Sequence, residues 1–159
     1  MTSLGSGRLI PPGSILEALR FMKIADLMSR RVHVAGPELD AETAWRCMQQ
    51  LHVRHLVIVD ERERVVGLLS ERDLGGRHGA VLRHSKTVRD LMTPEPIVLD
   101  PEISVRKAAE LLRGLSIGSF PVVAGGALVG IVTTSDLLDL LGSYEIGQSV
   151  GRSSTRLST

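Results

Sequence analysis

The residues best placed to do chemistry lie in two short runs. In each, an apolar stretch ends in a hydroxyl and a carboxylate follows three residues later: GLLSERD at Gly67 to Asp73 and GIVTTSD at Gly130 to Asp136. Ser70 with Asp73, and Thr133 with Asp136, have the spacing of a capping box, where the hydroxyl takes up a free amide of a helix's first turn and the acid accepts from the N–H of the hydroxyl residue. A cap of that kind contributes about 0.5 to 2 kcal/mol and fully explains one such pair. Two of them in one chain raise the question of what they hold in common.

Other chemistries find little support. Ser, His and Asp are present, but there is no nucleophile elbow of the form GxSxG and no phosphate loop of the form GxxxxGK, so neither a hydrolase nor a nucleotide-cleaving site is expected. The chain is read as non-catalytic. Cys47 is the only cysteine and falls in a helical pattern with Ala44, Met48 and Leu51, which makes it a buried thiol with no disulfide partner. His52 and His55 stand three apart, but neither Cys47 nor a nearby acid completes a ligand set; no metal site is expected. His33, His78 and His84 read as surface residues.

The elements that must position the two runs are themselves duplicated. ADLMS at Ala25 to Ser29 returns as RDLMT at Arg89 to Thr93, an offset of 64 residues from Met28 to Met92. The same offset pairs Val34 with Val98, Ala44 with Ala108, Leu51 with Leu115 and Val59 with Val123; one residue is then lost, and Gly67 pairs with Gly130 and Asp73 with Asp136. An internal repeat of this length decides the architecture before any single element does. In the first copy the expected order is a strand at Val32 to Ala35, a helix capped by Asp40 and running to about His52, two strands around the turn Glu61 to Glu63, and a second helix opened by Ser70. In the second it is a strand at Ile97 to Leu99, a helix from Ser104 to about Ser116, strands at Phe120 to Val123 and Ala127 to Thr133 around Gly125-Gly126, and a helix to about Leu141.

The fold class is therefore α/β in the broad sense (α+β), with two β-α-β-β-α repeats packed about a pseudo-twofold axis. The expected partition is an N-terminal segment at 1–22, with a short helix opened by the capping box Ser14 to Glu17, repeats at 23–85 and 86–142, and a flexible tail at 143–159. A unit of about 60 residues cannot cover its own sheet, so the copies should face each other and leave two related clefts, the usual place for ligands. Trp45, on the flank of its helix, reads as a subunit contact.

Composition narrows the function. With 159 residues, 43% hydrophobic but only 3% aromatic, the core must be built from aliphatic side chains, which suits this class. Nineteen basic and 18 acidic residues leave a net charge of +1, which argues against wrapping nucleic acid through Arg77, Arg83, Lys86 and Arg89 and against lying on an anionic membrane. No apolar run approaches a membrane span and the first residues do not form a secretory signal; a cytoplasmic protein is expected.

The lead-in DLM of each copy, RHLVIVDERERVVGLLSERDL at Arg54 to Leu74 and FPVVAGGALVGIVTTSDLL at Phe120 to Leu138 resemble the CBS domain, a family named for cystathionine β-synthase whose members occur as tandem pairs. The resemblance covers about Lys23 to Gly142. It implies a regulatory sensor that requires no cofactor and binds an adenosine compound such as AMP, ADP, ATP or S-adenosylmethionine in its clefts. The chain is similar to the stand-alone pairs of the family, which commonly form flat homodimers, and the resemblance leaves room for an unidentified regulated protein as partner. By that resemblance Asp73 and Asp136 would accept the two hydroxyls of a ribose. Ser70, Thr133 and Ser135 would lie near the phosphate at a helix start, with Arg54, His55 and Arg72 as its contacts. Thr93, Ile97 and Val34 would flank the purine. Gly118 and Ser119 replace Arg54 and His55 in the second copy, so unequal clefts are expected. The alternative is a protein-interaction module without a nucleotide, in which the aspartates are caps only.

Overall fold

The computed structural model describes residues 15–150. Ser14, and with it the hydroxyl of the first capping box, lies outside them, as do residues 151–159. The chain opens with α1 (Ile15–Phe21) and α2 (Ile24–Leu27), then β1 (Val34–Ala35), α3 (Ala41–Leu51), β2 (His55–Val59) and β3 (Val65–Ser70). A 3-10 turn at Gly76–His78 and α4 (Ala80–Arg83) lead to α5 (Val88–Leu91) and β4 (Thr93–Pro94), and the second copy continues as α6 (Val105–Leu115), β5 (Ser119–Ala124), β6 (Ala127–Thr133) and α7 (Thr134–Val150). Among the described residues no helix is long and apolar enough to cross a membrane.

Local chemistry sets the element ends the same way twice. Asp40 caps α3 by accepting from the Thr43 amide at 2.8 Å, and Ser104 caps α6 by accepting from the Lys107 amide at 3.2 Å, each satisfying one orphan donor of a first turn. The two helices end alike, at His52 (φ 54°) and Ser116 (φ 53°), both left-handed. β2 and β3 run antiparallel around a turn in which the Asp60 carboxylate accepts from the Arg62 and Arg64 amides. β5 and β6 turn instead through Gly125 (φ 57°) and Gly126 (φ 82°), consecutive positive φ values that favour glycine.

The repeats exchange their lead-in segments. α2 of the first copy donates its Ile24 and Ala25 amides to Ile103 and Pro101 of the second, and α5 of the second donates Val88 and Arg89 to Leu39 and Pro37 of the first. The same reciprocity completes the sheets. β4 adds to β3 to give a four-stranded order β1-β2-β3-β4, and Ser29 bridges Ile131 on β6. Gly67 and Gly130, which open the two motifs, are where this exchange needs space: a Cβ on Gly67 would stand 2.3 Å from the Met92 sulfur, and one on Gly130 2.5 Å from the Met28 sulfur. The methionine of each DLM thus covers the glycine of the other copy's motif.

The cores follow the exchange. Ile24 and Met28 are buried with Leu99, Val105, Ala108, Leu112, Phe120, Val122 and Val132, while Val88 is buried with Ala41, Ala44, Trp45, Met48, Leu56, Ile58, Leu69 and Leu74. A third cluster, Val57, Leu68 and Ile131, joins the two sheets. The boundaries at 23–85 and 86–142 therefore divide the sequence repeat, whereas each packed body takes its lead-in from the other copy.

Several expectations are corrected. Ser70 does not open a regular helix: residues 71–75 form turns, and the chain passes through Gly75 (φ 73°) and Gly76 (φ 57°) before the one-turn α4. In the second copy no glycine interrupts the start, and α7 runs to Val150, beyond Leu141 and through residues 143–150 assigned to a tail. The strand at Ile97 to Leu99 shrinks to one bridge between Leu99 and Val122. Trp45 is a core residue, with the Arg83 guanidinium 4.6 Å over its ring. Arg83 is itself buried, donating to the Leu74 and Gly76 carbonyls and pairing with Glu42 at 2.7 Å; it shores up the broken helix and offers nothing to a nucleic acid. Cys47 is only half-buried.

Candidate functional site

Strand register assembles the site. In the first copy His55 stands opposite Ser70, and in the second Ser119 stands opposite Thr133. Both hydroxyls sit at the last residue of their strand, and both capping boxes close. The Asp73 Oδ2 accepts from the Ser70 amide and hydroxyl, each at 2.7 Å. The Asp136 Oδ2 accepts from the Thr133 amide at 2.6 Å and hydroxyl at 2.9 Å. Among the described residues neither carboxylate uses its Oδ1 in a hydrogen bond. The turn after each motif is tied to the preceding strand entry, the Glu71 amide to the Arg54 carbonyl and the Thr134 amide to the Gly118 carbonyl.

The two strand entries meet. A Cβ on Gly118 would lie 3.7 Å from the His55 Nε2, so the imidazole of one copy occupies space beside the other. Around this junction opens a cleft of about 940 Å³. Its first-copy wall holds Arg54, His55, Ser70, Glu71, Arg72 and Asp73; its second-copy wall holds Ser119, Phe120, Thr133, Thr134 and Ser135, with Thr93, Pro96 and Ile97 at the crossing segment.

The walls differ electrostatically. On the first-copy side, Arg54 lies 3.9 Å from Glu71, and Arg72 is exposed with no ion pair among the described residues. Burial holds the His55 imidazole below its ordinary value of 6.5, opposed by the Asp73 carboxylate, reinforced by Arg54 and opposed again by Asp136 and Glu71. His55 is thereby kept neutral near pH 7 while standing under the influence of both motif carboxylates. The second-copy wall carries no cationic side chain but presents the start of the 17-residue α7, where the Thr134 amide is held by the Gly118 carbonyl and the Asp136 amide by the Thr133 hydroxyl and the helix dipole favours negative charge. Ser119 is 1% exposed, and its Oγ has no hydrogen-bond partner. A buried hydroxyl left so costs free energy that a bound polar group would return.

Nine of the eleven residues singled out from sequence line this cleft: Arg54, His55, Ser70, Arg72, Asp73, Thr93, Ile97, Thr133 and Ser135. Asp136 backs the wall through Thr133 without lining it. Val34 is elsewhere: it is 53% exposed and borders a smaller cleft of about 390 Å³ at the hairpin end of the sheets, with Arg30, Val59, Arg62 and Leu128. The expected pair of related clefts is corrected, because among the described residues both motifs open onto one cleft. Ser116 to Phe120, Pro96 and the glycines Gly75 and Gly76 also line it and were not singled out as contacts. The offset from Arg54 and His55 does lead to Gly118 and Ser119, but their missing charge argued against them, and only burial shows the Ser119 hydroxyl to be unpartnered.

A family model for the CBS domain matches residues 24–74 and again 88–143. An inosine-5'-monophosphate dehydrogenase of Korarchaeum cryptofilum is 33% identical over 110 residues, which is 68% of this chain and 22% of the enzyme, and that of Aquifex aeolicus is 29% identical with 26% of its length covered. The chain thus spans about a quarter of these dehydrogenases. Among solved structures, the CBS domain pair of protein MJ0100 in complex with 5'-methylthioadenosine and S-adenosyl-L-methionine superposes with a TM-score of 0.71 at 26% identity, covering 78% of this chain and 98% of that one. CBSX2, a CBS-pair protein of Arabidopsis thaliana, in complex with AMP gives a TM-score of 0.68 at 26% identity, covering 77% and 97%.

Proposed function

This chain belongs to the CBS-domain family, carrying the domain twice, and from that premise we propose that it is a non-catalytic regulatory module that binds an adenosine compound in the cleft between its repeats. The observation that carries the reading is the convergence of both hydroxyl-carboxylate motifs on one cleft of about 940 Å³, within the range of pockets that enclose small organic ligands. The similarity to pairs holding AMP, 5'-methylthioadenosine and S-adenosyl-L-methionine supports the class of ligand.

In this reading, a carboxylate whose Oδ2 is fixed by two donors keeps its other oxygen for a ribose hydroxyl, so capping and ligand contact coexist in Asp73, which lines the cleft, while Asp136 acts through the Thr133 hydroxyl that it holds at the wall. Thr93, Pro96 and Ile97 flank the purine, with Phe120 at the second-copy wall. Ligand alters the module only as far as it favours one arrangement of the repeats over another, and the exchanged segments give both repeats a stake in the cleft, since Thr93 belongs to the second copy yet sits on the first copy's sheet.

Thermal shift tests this. AMP, ADP, ATP or S-adenosylmethionine raises the melting temperature if it binds the folded state; the expected result is a saturable rise with at least one of them, reduced in Asp136→Ala. Flat curves with all four at millimolar concentration overturn the reading. They would favour the second one, a protein-interaction module. It is supported by the exposure of Val81 (90%) on α4 and Leu138 (61%) on α7, apolar side chains that a homodimer or a regulated protein would cover.

A further inference from the structure

We propose that residues 75–86 form a hinged flap on the first-copy wall of the cleft, latched shut by Arg83, and that a ligand in the cleft holds the flap closed. The ligand's part in this rests on the adenosine-binding reading; the latch itself does not.

Little apolar surface holds this stretch to the body. Leu74 before it and Val88 after it are fully buried in the first-copy core. Among the described residues, no side chain at 75–86 joins a hydrophobic cluster, and Ala80, Val81 and Leu82 of α4 are all exposed. The backbone ties are local as well. The Gly75 and Gly76 amides donate to Arg72 and Glu71, those of Gly79, Arg83, His84 and Lys86 donate within the stretch, and the Lys86 carbonyl at its end accepts from Ala41. A stretch with so few buried apolar contacts opens at a lower free energy than the body that carries it.

Arg83 is what closes it. The residue is 2% exposed, donates to Glu42 at 2.7 Å and to the Leu74 and Gly76 carbonyls at 2.8 Å each, and lays its guanidinium over Trp45. One cation thereby ties both ends of the flap to α3. A buried guanidinium is costly unless all its bonds are made, so these bonds form together or are exchanged together for water. Gly79 shows how tightly the latch shuts: a Cβ there would stand 2.0 Å from the Leu74 carbonyl oxygen and 2.7 Å from the Gly75 Cα. The second repeat has no counterpart. At the offset of 64 residues Arg106 and Ala109 replace Glu42 and Trp45, and α7 runs on unbroken.

The hinge faces the cleft. Gly75 and Gly76, both at positive φ, line it beside Arg72 and Asp73. A ligand against that wall makes those contacts only with the flap closed, and shifts the balance by that difference. Opening lifts the guanidinium off Trp45, the single tryptophan, so the state of the wall is legible at a side chain outside the cleft.

Hydrogen exchange of the full chain, resolved by NMR, tests the proposal by following the Gly79, Arg83, His84 and Lys86 amides against those of Val57 and Leu99, which donate to His33 and Pro121. The flap amides should exchange about tenfold faster than the other pair in the parent protein. Two variants open the latch by unrelated means. Arg83→Met removes the donors but keeps an apolar side chain over Trp45; Gly79→Ala keeps Arg83 but finds no room in the closed form, at a φ of −84° that alanine adopts freely. In each, the flap amides should exchange about tenfold faster than in the parent and acrylamide should quench Trp45 more strongly, with Val57 and Leu99 still protected. Flap amides that exchange at the rate of Val57 and Leu99 in the parent, or that are indifferent to both variants, would overturn the latch. Saturating AMP, or S-adenosylmethionine where AMP gives no thermal shift, should slow the flap amides of the parent about threefold or more. Bound ligand that leaves them unchanged would overturn the coupling to the cleft. Absence of a thermal shift with AMP, ADP, ATP and S-adenosylmethionine alike would instead remove the adenosine-binding reading and the ligand's part with it, while exchange in the free chain still decides the latch.

Discussion

His55 is the residue in which the site's competing forces meet. Burial holds its imidazole below 6.5, against Asp73, Asp136 and Glu71 and with the help of Arg54. The unfolded chain therefore takes up the proton first as pH falls, so this residue lowers stability progressively as the pH drops below 6.5. An anionic phosphate beside it acts in the opposite direction, raising its proton affinity. Nucleotide binding that sets a phosphate beside His55 should then take up a proton and strengthen as the pH falls below about 6.5. Calorimetry in buffers of different ionisation enthalpy would measure that uptake, and His55→Gln should reduce it while leaving the titration of the ligand's own phosphate. Equal uptake in parent and variant would place His55 away from the phosphate. Of the residues here, the two aspartates were legible from spacing and the cations from resemblance. Ser119 was not, because its significance lies in an empty hydrogen-bond valence that no sequence displays.

The elements show why each motif begins with glycine. Met92 and Met28 lie where a Cβ on Gly67 or Gly130 would go, so the lead-in of one copy closes over the motif strand of the other. Gly67→Ala should destabilise by about 1 to 3 kcal/mol through overpacking, and Met92→Ala through lost packing. In the double variant the shorter side chain makes room for the new methyl, so the two effects should fall short of additivity by about 0.5 kcal/mol or more. Urea unfolding of the four proteins measures this, and strict additivity would mean that Met92 moves aside without cost. The second helix of the first copy is one of the elements that sequence reading placed wrongly. Its capping box forms as the spacing required, but Gly75 and Gly76 adopt positive φ and Arg83 ties up the freed Leu74 and Gly76 carbonyls. Capping chemistry is local and can be satisfied in one turn; whether the helix continues past that turn is decided by the residues beyond it, here a pair of glycines in left-handed backbone.

Across the whole molecule, the exchange of lead-in segments makes the two cores one cooperative system. Ile24 is buried with second-copy residues, whereas Trp45, the single tryptophan, reports on the other core. Ile24→Ala, a loss of about 2 to 5 kcal/mol for a buried aliphatic side chain, should therefore shift the Trp45 fluorescence transition in denaturant as far as it shifts the far-ultraviolet circular dichroism. A Trp45 transition that stayed in place would show that the cores unfold separately. By itself the sequence determined the duplication, the capped helix and the hairpin of each copy, the caps of α3 and α6 and the chemistry of the two motifs, since all of these follow from side-chain type and spacing along the chain. Only the tertiary structure decided that lead-ins pack on the opposite copy and that both motifs open onto one cleft, with Val34 outside it and Ser119 unpartnered within it. Repeat spacing is a property of the chain, and two similar units present similar surfaces to either lead-in; which surface each one covers is settled by long-range packing between residues far apart in sequence.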